Sequence, residues 1–214
     1  MRKLLIFTIS LLLLAACENA QIRNAEQNKA MVPTVSLLEQ EIQSYLEKGI
    51  SLGERKRQVA PIETAFQRCT TPERARQLAA LCFTKTLGTP FMPFDLAEIA
   101  LAETGGHKLA ASSVSSRGAL GVWQLMPNRA KSHGYSPTEM KNDEKCAEAA
   151  VRELYSKLEM ARGNLNLAKK LYCGQGPQAE IYSRKIKSIR KEMHAELKRQ
   201  TDIVAMGENE ILSR

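Results

Sequence analysis

Apolar residues recur at helical rather than strand spacing along most of the chain. Val35, Leu38, Ile42, Tyr45 and Leu46 fall on one helix face, with Gly49 placed to cap its end. A second helix is expected from about Pro61, and a third from Thr71-Pro72, with Gly88 beyond its end. Pro90 and Pro93 enforce a non-helical link. Asp95-Leu96-Ala97-Glu98 reads as a capping box, so a helix should begin at Leu96 and stop at Gly105-Gly106. Residues 107–121 are rich in Ser, Gly and small residues and read as an exposed loop. A short helix is expected after Pro127. A long one, capped by Asn142 or Asp143, should run to about Arg162, and further helices are expected at 165–172 and from about Gln178. No internal repeat is visible, and the class is mainly α.

The first sixteen residues are of a different kind. Arg2 and Lys3 precede an apolar run from Leu4 to Leu14, and Leu14-Ala15-Ala16 leads into Cys17. That is the pattern of a secretory signal peptide, too short for a comfortable membrane span. The small residues before a cysteine resemble the bacterial lipobox, which implies cleavage before Cys17, acylation of its thiol, and a protein anchored to a membrane surface. Residues 17–33 then read as a flexible tether, 34–70 as N-terminal helices, 71–200 as the main folded domain and 201–214 as a C-terminal tail. The expected location is the periplasmic face of a membrane, with the outer membrane favoured because Glu18 gives no inner-membrane retention signal.

Composition adds two constraints. The 214 residues carry a formal charge of +8, which suits an anionic polymer or a membrane face. No interleaving of basic and aromatic residues of the sort that grips nucleic acid is present. Four cysteines follow Cys17, namely Cys69, Cys82, Cys146 and Cys173. An exported chain permits disulfides, and the helix layout favours Cys69–Cys82 and Cys146–Cys173. His133 and His194 have no ligand-spaced partner and His107 reads as a solvated loop residue, so neither a metal nor another cofactor is expected.

Candidate chemistry centres on Glu103. Leu96, Ile99, Ala100 and Glu103 share one face of the expected helix, which puts a carboxylate in line with an apolar stripe. Partial burial there, and the negative end of the helix dipole, would both raise its pKa, as a general acid near neutral pH requires. The same residue could also swing out to solvent, and the stripe alone does not choose between the two. Downstream stand Ser115-Ser116-Arg117-Gly118-Ala119-Leu120-Gly121-Val122-Trp123-Gln124, then Leu171-Tyr172-Cys173-Gly174 and Tyr182. Trp123 could stack on a sugar, although a single Trp is more often core.

With Glu103-Thr104, these segments resemble the family 1 lytic transglycosylases, whose catalytic domain is similar to goose-type lysozyme. The resemblance spans roughly residues 70–190 and implies a lysozyme-like helical domain with a long cleft that cuts peptidoglycan glycan strands. It implies Glu103 as the only catalytic carboxylate. It also implies Thr104, Ser115, Gly118, Gly121, Gln124, Tyr172 and Tyr182 as substrate-binding or cleft residues, with Tyr182 the better placed to hydrogen-bond Glu103. By the same resemblance Glu103 acts first as acid and then as base, and the muramic sugar closes a 1,6-anhydro ring. Three departures stand out. The Glu103-to-glycine spacing is long, Cys173 replaces an Asn, and Leu171 replaces an Ala. The alternatives are a hydrolase of the same bond, as in goose-type lysozymes, and a non-catalytic peptidoglycan-binding lipoprotein. A role beside secretion or conjugation machinery is a further possibility the sequence leaves open.

Overall fold

The structure is a computed structural model that describes residues 52–212, with side chains described as far as Ile203. The expected signal peptide, the lipidation site Cys17, the tether and the helix over 34–49 lie outside the described residues. Eight α-helices follow in order among the described residues: α1 (Leu52–Arg57), α2 (Val59–Gln67), α3 (Pro72–Thr86), α4 (Pro93–Thr104), α5 (Pro127–Ser132), α6 (Asp143–Met160), α7 (Leu165–Cys173) and α8 (Pro177–Leu212). Short 3-10 turns at Gly105–His107 and Pro137–Lys141 complete the set. No strand is present among the described residues; two isolated antiparallel bridges, Val114 with Leu120 and Leu120 with Leu125, are the nearest approach. The fold is mainly helical, as the periodicity predicts.

Local chemistry sets most boundaries. The Thr71 hydroxyl accepts the Arg74 N–H to cap α3, with Pro72 in the first turn. Asn142 accepts the Lys145 N–H to start α6, and Asn164 accepts the Leu167 N–H to start α7. The start of α4 departs from expectation. It begins at Pro93 rather than Leu96, and Asp95 sits in the third helical position, where its carboxylate accepts the Met92 N–H at 2.7 Å. Proline at the first position is preset for the helix and gives up no needed donor, so the helix gains a turn. The bend before it is held by Arg55, a buried guanidinium that donates to the carbonyls of Thr86, Thr89 and Phe91.

Helix α4 is the centre of the domain. From Pro93 to Ala100 every residue is buried, so the expected single apolar stripe understates it. Around it lie Ile62 and Phe66 of α2, Leu78 and Cys82 of α3, Leu154 of α6 and Met193 of α8. Trp123 belongs to this core too: it is fully buried and its indole N–H donates to the Leu96 carbonyl at 3.0 Å. The 107–121 loop is less exposed than expected. Leu109 and Ala119 are buried, and Arg74 clamps the loop by donating to the Leu109 carbonyl while forking onto Asp143.

Two carboxylates ride inside α4, and both are paired. Lys169 of α7 donates to Glu98 at 2.6 Å and also to Asp95, while Arg190 of α8 donates to Glu98 at 2.6 and 2.9 Å and to Asp95 at 3.0 Å. These contacts tie α7 and α8 to the central helix. Substituting Lys169→Met is expected to lower stability by about 2–3 kcal/mol, below the usual cost of a broken buried pair because Arg190 still faces both acids. The measurement is a urea denaturation curve. An unchanged midpoint would mean that Arg190 alone satisfies the pair.

The expected disulfides are not formed: Cys69, Cys82, Cys146 and Cys173 are free thiols. Cys82 is the eleventh residue of α3, about 15 Å along the helix from its start, too far from Cys69 for a bridge. Cys69 packs near Gly105 at the end of α4. Helix α7, with 9 residues, is half the length of the 18-residue α6 it follows through a short turn. Cys173 is exposed at the end of α7, whereas Cys146 is buried in the first turn of α6. Spacing along the sequence cannot show that a helix has carried two cysteines apart. No helix among the described residues is long and apolar enough to cross a membrane.

Candidate active site

Glu103 occupies the last turn of α4, half-buried, next to the 3-10 turn that ends the helix. The other buried carboxylates of the described residues are all in ion pairs. Asp95 and Glu98 face Lys169 and Arg190; Glu153 faces Arg129, His133 and Lys157. Glu103 has no ion pair. Burial pushes its pKa up to about 7, against the opposing influence of the Tyr182 hydroxyl and the positive charge of Lys185. Among the described residues it is the one carboxylate whose pKa is raised, and desolvation of the charged form is the reason.

Two tyrosines adjoin it. Tyr182, in the second turn of α8, is buried; its hydroxyl is coupled to the Glu103 carboxyl but falls short of a well-formed hydrogen bond to any group. Tyr172, in the last turn of α7, donates to the Trp123 carbonyl at 2.9 Å and so ties α7 to the loop below. Burial, and next the negative charge of Glu103, push both hydroxyls well above the usual tyrosine range. Cys173 also feels the negative charge of Glu103, which raises its pKa, and the opposing positive charge of Arg117 from the loop. The three separated segments 103, 172–173 and 182 thus converge on one carboxyl.

The loop residues divide by what they touch. The Ser115 N–H donates to the Ala119 carbonyl and the Gly118 N–H to the Ser115 carbonyl around a tight turn, and the Ser115 hydroxyl accepts the Ala119 N–H at 3.0 Å. Gly118 takes a φ of +81° in that turn with open space where a side chain would be, so a sugar can come close to its backbone. Gly121 differs. A Cβ on it would lie 2.3 Å from the Met140 carbonyl and 2.7 Å from the Cys146 sulfur, so its bare face looks inward and seats the loop on α6. Gln124, at φ +51°, donates from its side-chain amide to the Gly121 carbonyl at 2.7 Å and the Ser113 carbonyl at 3.3 Å. Thr104 is fully buried, and its hydroxyl donates to the Val122 carbonyl at 2.8 Å. Thr104 therefore joins the loop to the helix that carries Glu103, while Gly121 seats it on α6 and Gln124 braces it from within.

Lys185 is the site residue that the sequence reading missed. Its ammonium donates to the Ala102 carbonyl at 2.5 Å and its charge acts on Glu103. The available signal was its place three residues after Tyr182, hence on the same side of a helix. Lys185 also lines a cavity of about 400 Å³ between α2, α4 and α8, whose walls include Ala65, Cys69, Leu101, Ile189 and Met193. No group of three or more His, Cys, Asp and Glu residues suited to a metal occurs among the described residues.

A family model described as the transglycosylase SLT domain matches residues 82–193, a span that contains every residue of this site. The chain belongs to that family. Neither a curated relative nor a solved structure matches it. Membership in the SLT family makes peptidoglycan the substrate class and lytic transglycosylation the kind of activity. The lysozyme-like helical fold agrees with it.

Proposed function

We propose that the protein cleaves the β-1,4 bond between N-acetylmuramic acid and N-acetylglucosamine by intramolecular transglycosylation, with Glu103 as acid and then base. The observation that carries this is a half-buried carboxyl without an ion pair and with a pKa near neutrality, held at the end of the central helix beside Tyr182, which is buried, and Tyr172, which is half-buried. Protonated Glu103 gives its proton to the glycosidic oxygen. The muramyl N-acetyl oxygen stabilises the positive charge that develops at the anomeric carbon, in place of the second carboxylate most glycosidases use. Ionised Glu103 then takes the proton of the same sugar's C6 hydroxyl, whose oxygen closes the 1,6-anhydro ring. One residue serves both steps because its pKa lies where both forms are accessible. Ser115, Gly118 and Gln124 present the loop edge to the glycan, Tyr172 and Tyr182 close the opposite side, and Thr104 and Gly121 hold the loop in place.

The lipobox-like segment ending at Cys17 supports an anchor of acyl chains at a membrane surface, with the wall as partner and the periplasm as location. Mass spectrometry of soluble products from purified sacculi tests the reaction. Muropeptides ending in 1,6-anhydro-muramic acid are the expected result. Reducing ends, heavier by one water, would make the enzyme a hydrolase with the same acid. Bound but uncleaved sacculi would leave a binding protein.

A further inference from the structure

Glu103 ends a helix, and a helix end is a poor place for a carboxylate. The last carbonyls of α4 have no partner within the helix, and their partial negative charge adds to the burial that disfavours ionisation. Yet the proposed mechanism needs the ionised form in its second half. The group that opposes both effects comes from α8. Lys185 reaches back 83 positions in sequence and donates to the carbonyl of Ala102, the residue adjoining Glu103. A cation so placed satisfies an orphan carbonyl and offsets the negative end of the helix.

We infer that Lys185 is a positioning residue: it clamps the last turn of α4 to α8 and keeps a fixed positive charge beside the Glu103 carboxyl. This rests on the reading of Glu103 as the acid. Of the other groups facing that carboxyl, only the Tyr182 hydroxyl also opposes the burial. Tyr182 of α8, buried, and Tyr172 of α7, half-buried, are neutral, with hydroxyls pushed well above the usual range; Cys173 of α7 is a thiol whose pKa is raised; and Arg117 of the loop acts on Cys173. The second largest opposition to burial at Glu103 is that of Lys185, after the Tyr182 hydroxyl. Lys185 and Tyr182 lie one turn apart, so a single helix sets both the hydroxyl and the charge.

The test compares Lys185→Met, Lys185→Arg and Lys187→Met in the mature protein. Lys187 is exposed on the same helix and has no ion pair or hydrogen bond among those described, so its loss removes an equal charge at a distance. Two readouts are used, the Glu103 carboxyl resonance followed by ¹³C NMR titration and the alkaline limb of kcat/KM on sacculi. Glu103→Gln identifies the resonance and sets the inactive baseline. With Lys185→Met, both readouts are expected to move up by about half a pH unit, with kcat reduced and KM little changed. Lys185→Arg and Lys187→Met should both follow the unchanged protein. A Lys185→Met titration that does not move, in a protein whose Glu103→Gln variant is inactive, overturns the inference and leaves the acid standing. An equal movement with Lys187→Met also overturns it, because net charge would then be the cause. Full activity in Glu103→Gln would remove the acid and the inference together.

Discussion

Replacing Glu103 by glutamine is expected to reduce cleavage of sacculi by three to four orders of magnitude, roughly the upper range for a general acid–base residue. The amide keeps the shape and the hydrogen-bonding reach of the carboxyl but cannot give up or take a proton in either step. Binding should survive, so pull-down with insoluble sacculi should be little changed while product release disappears. The same variant should be more stable than the parent above neutrality, and the sign follows from linkage. The Glu103 pKa is raised from 4.5 to about 7 by folding. The folded state therefore holds a proton that the unfolded chain releases between those values, and stability falls as pH rises through that window. The penalty is fully present above pH 7 and absent below pH 4.5. A neutral glutamine escapes it, so its melting temperature at pH 8 should exceed the parent's by a few degrees, equivalent to roughly 1–2 kcal/mol after allowing for partial exposure. At pH 4 the two proteins should melt together. A Glu103→Gln variant that is destabilised at pH 8 would mean that the carboxylate is held by favourable contacts rather than merely tolerated. The same pKa puts the alkaline limb of the parent's kcat/KM near pH 7, since the first step needs the protonated acid.

The largest stability effect is expected at Gly121. Alanine there would put its Cβ 2.3 Å from the Met140 carbonyl and 2.7 Å from the Cys146 sulfur, contacts that real side chains do not make, at a φ of +75°. The backbone of the turn at Pro137–Lys141 cannot yield cheaply, because Met140 is itself fully buried. Overpacking costs about 1–3 kcal/mol and the left-handed backbone about 1–2 kcal/mol more for a residue with a Cβ. Gly121→Ala should therefore lose about 2–5 kcal/mol in a denaturant titration. Gly118→Ala is the informative comparison. It has a similar φ of +81° but open space around it, so only the backbone cost applies. If the two variants lose equal stability, the loop does not seat on α6 as described. Activity should fall in Gly121→Ala even at temperatures where the protein is folded, because Gln124 and Thr104 reach the same loop backbone.

Much of this architecture was legible along the chain because it is encoded locally. Thr71-Pro72, Asn142 and Gly105 act within one helical turn, and their caps are where the sequence puts them. The spacing of Leu96, Ile99, Ala100 and Glu103 placed a carboxyl among apolar residues from four positions alone. Helix α4 shows the limit of the same argument. Asp95 and Glu98 were read as caps of its first turn, and Asp95 is one, but both are also partners of Lys169 and Arg190 more than seventy positions away. A charge in a buried helix looks like a surface charge until its partner is known. Cysteine pairing failed for a related reason: distance along α3 is real distance, and the sequence does not reveal which face a thiol takes.

What the sequence by itself determined is the helical class, the position of Glu103 at a helix end, and the glycine-rich segment through Gln124 that marks the family. These depend on short-range periodicity and on backbone conformations that only particular residues adopt. The tertiary structure alone decided which way each of those residues faces. It turned Thr104 and Gly121 inward to hold the loop, left Gly118 open, and left Glu103 the unpaired acid while its buried neighbours found cations. It also brought Lys185 to the Ala102 carbonyl. The physical reason is that desolvation and charge pairing depend on distances between segments remote in sequence, and a pKa is set by those distances rather than by neighbours along the chain.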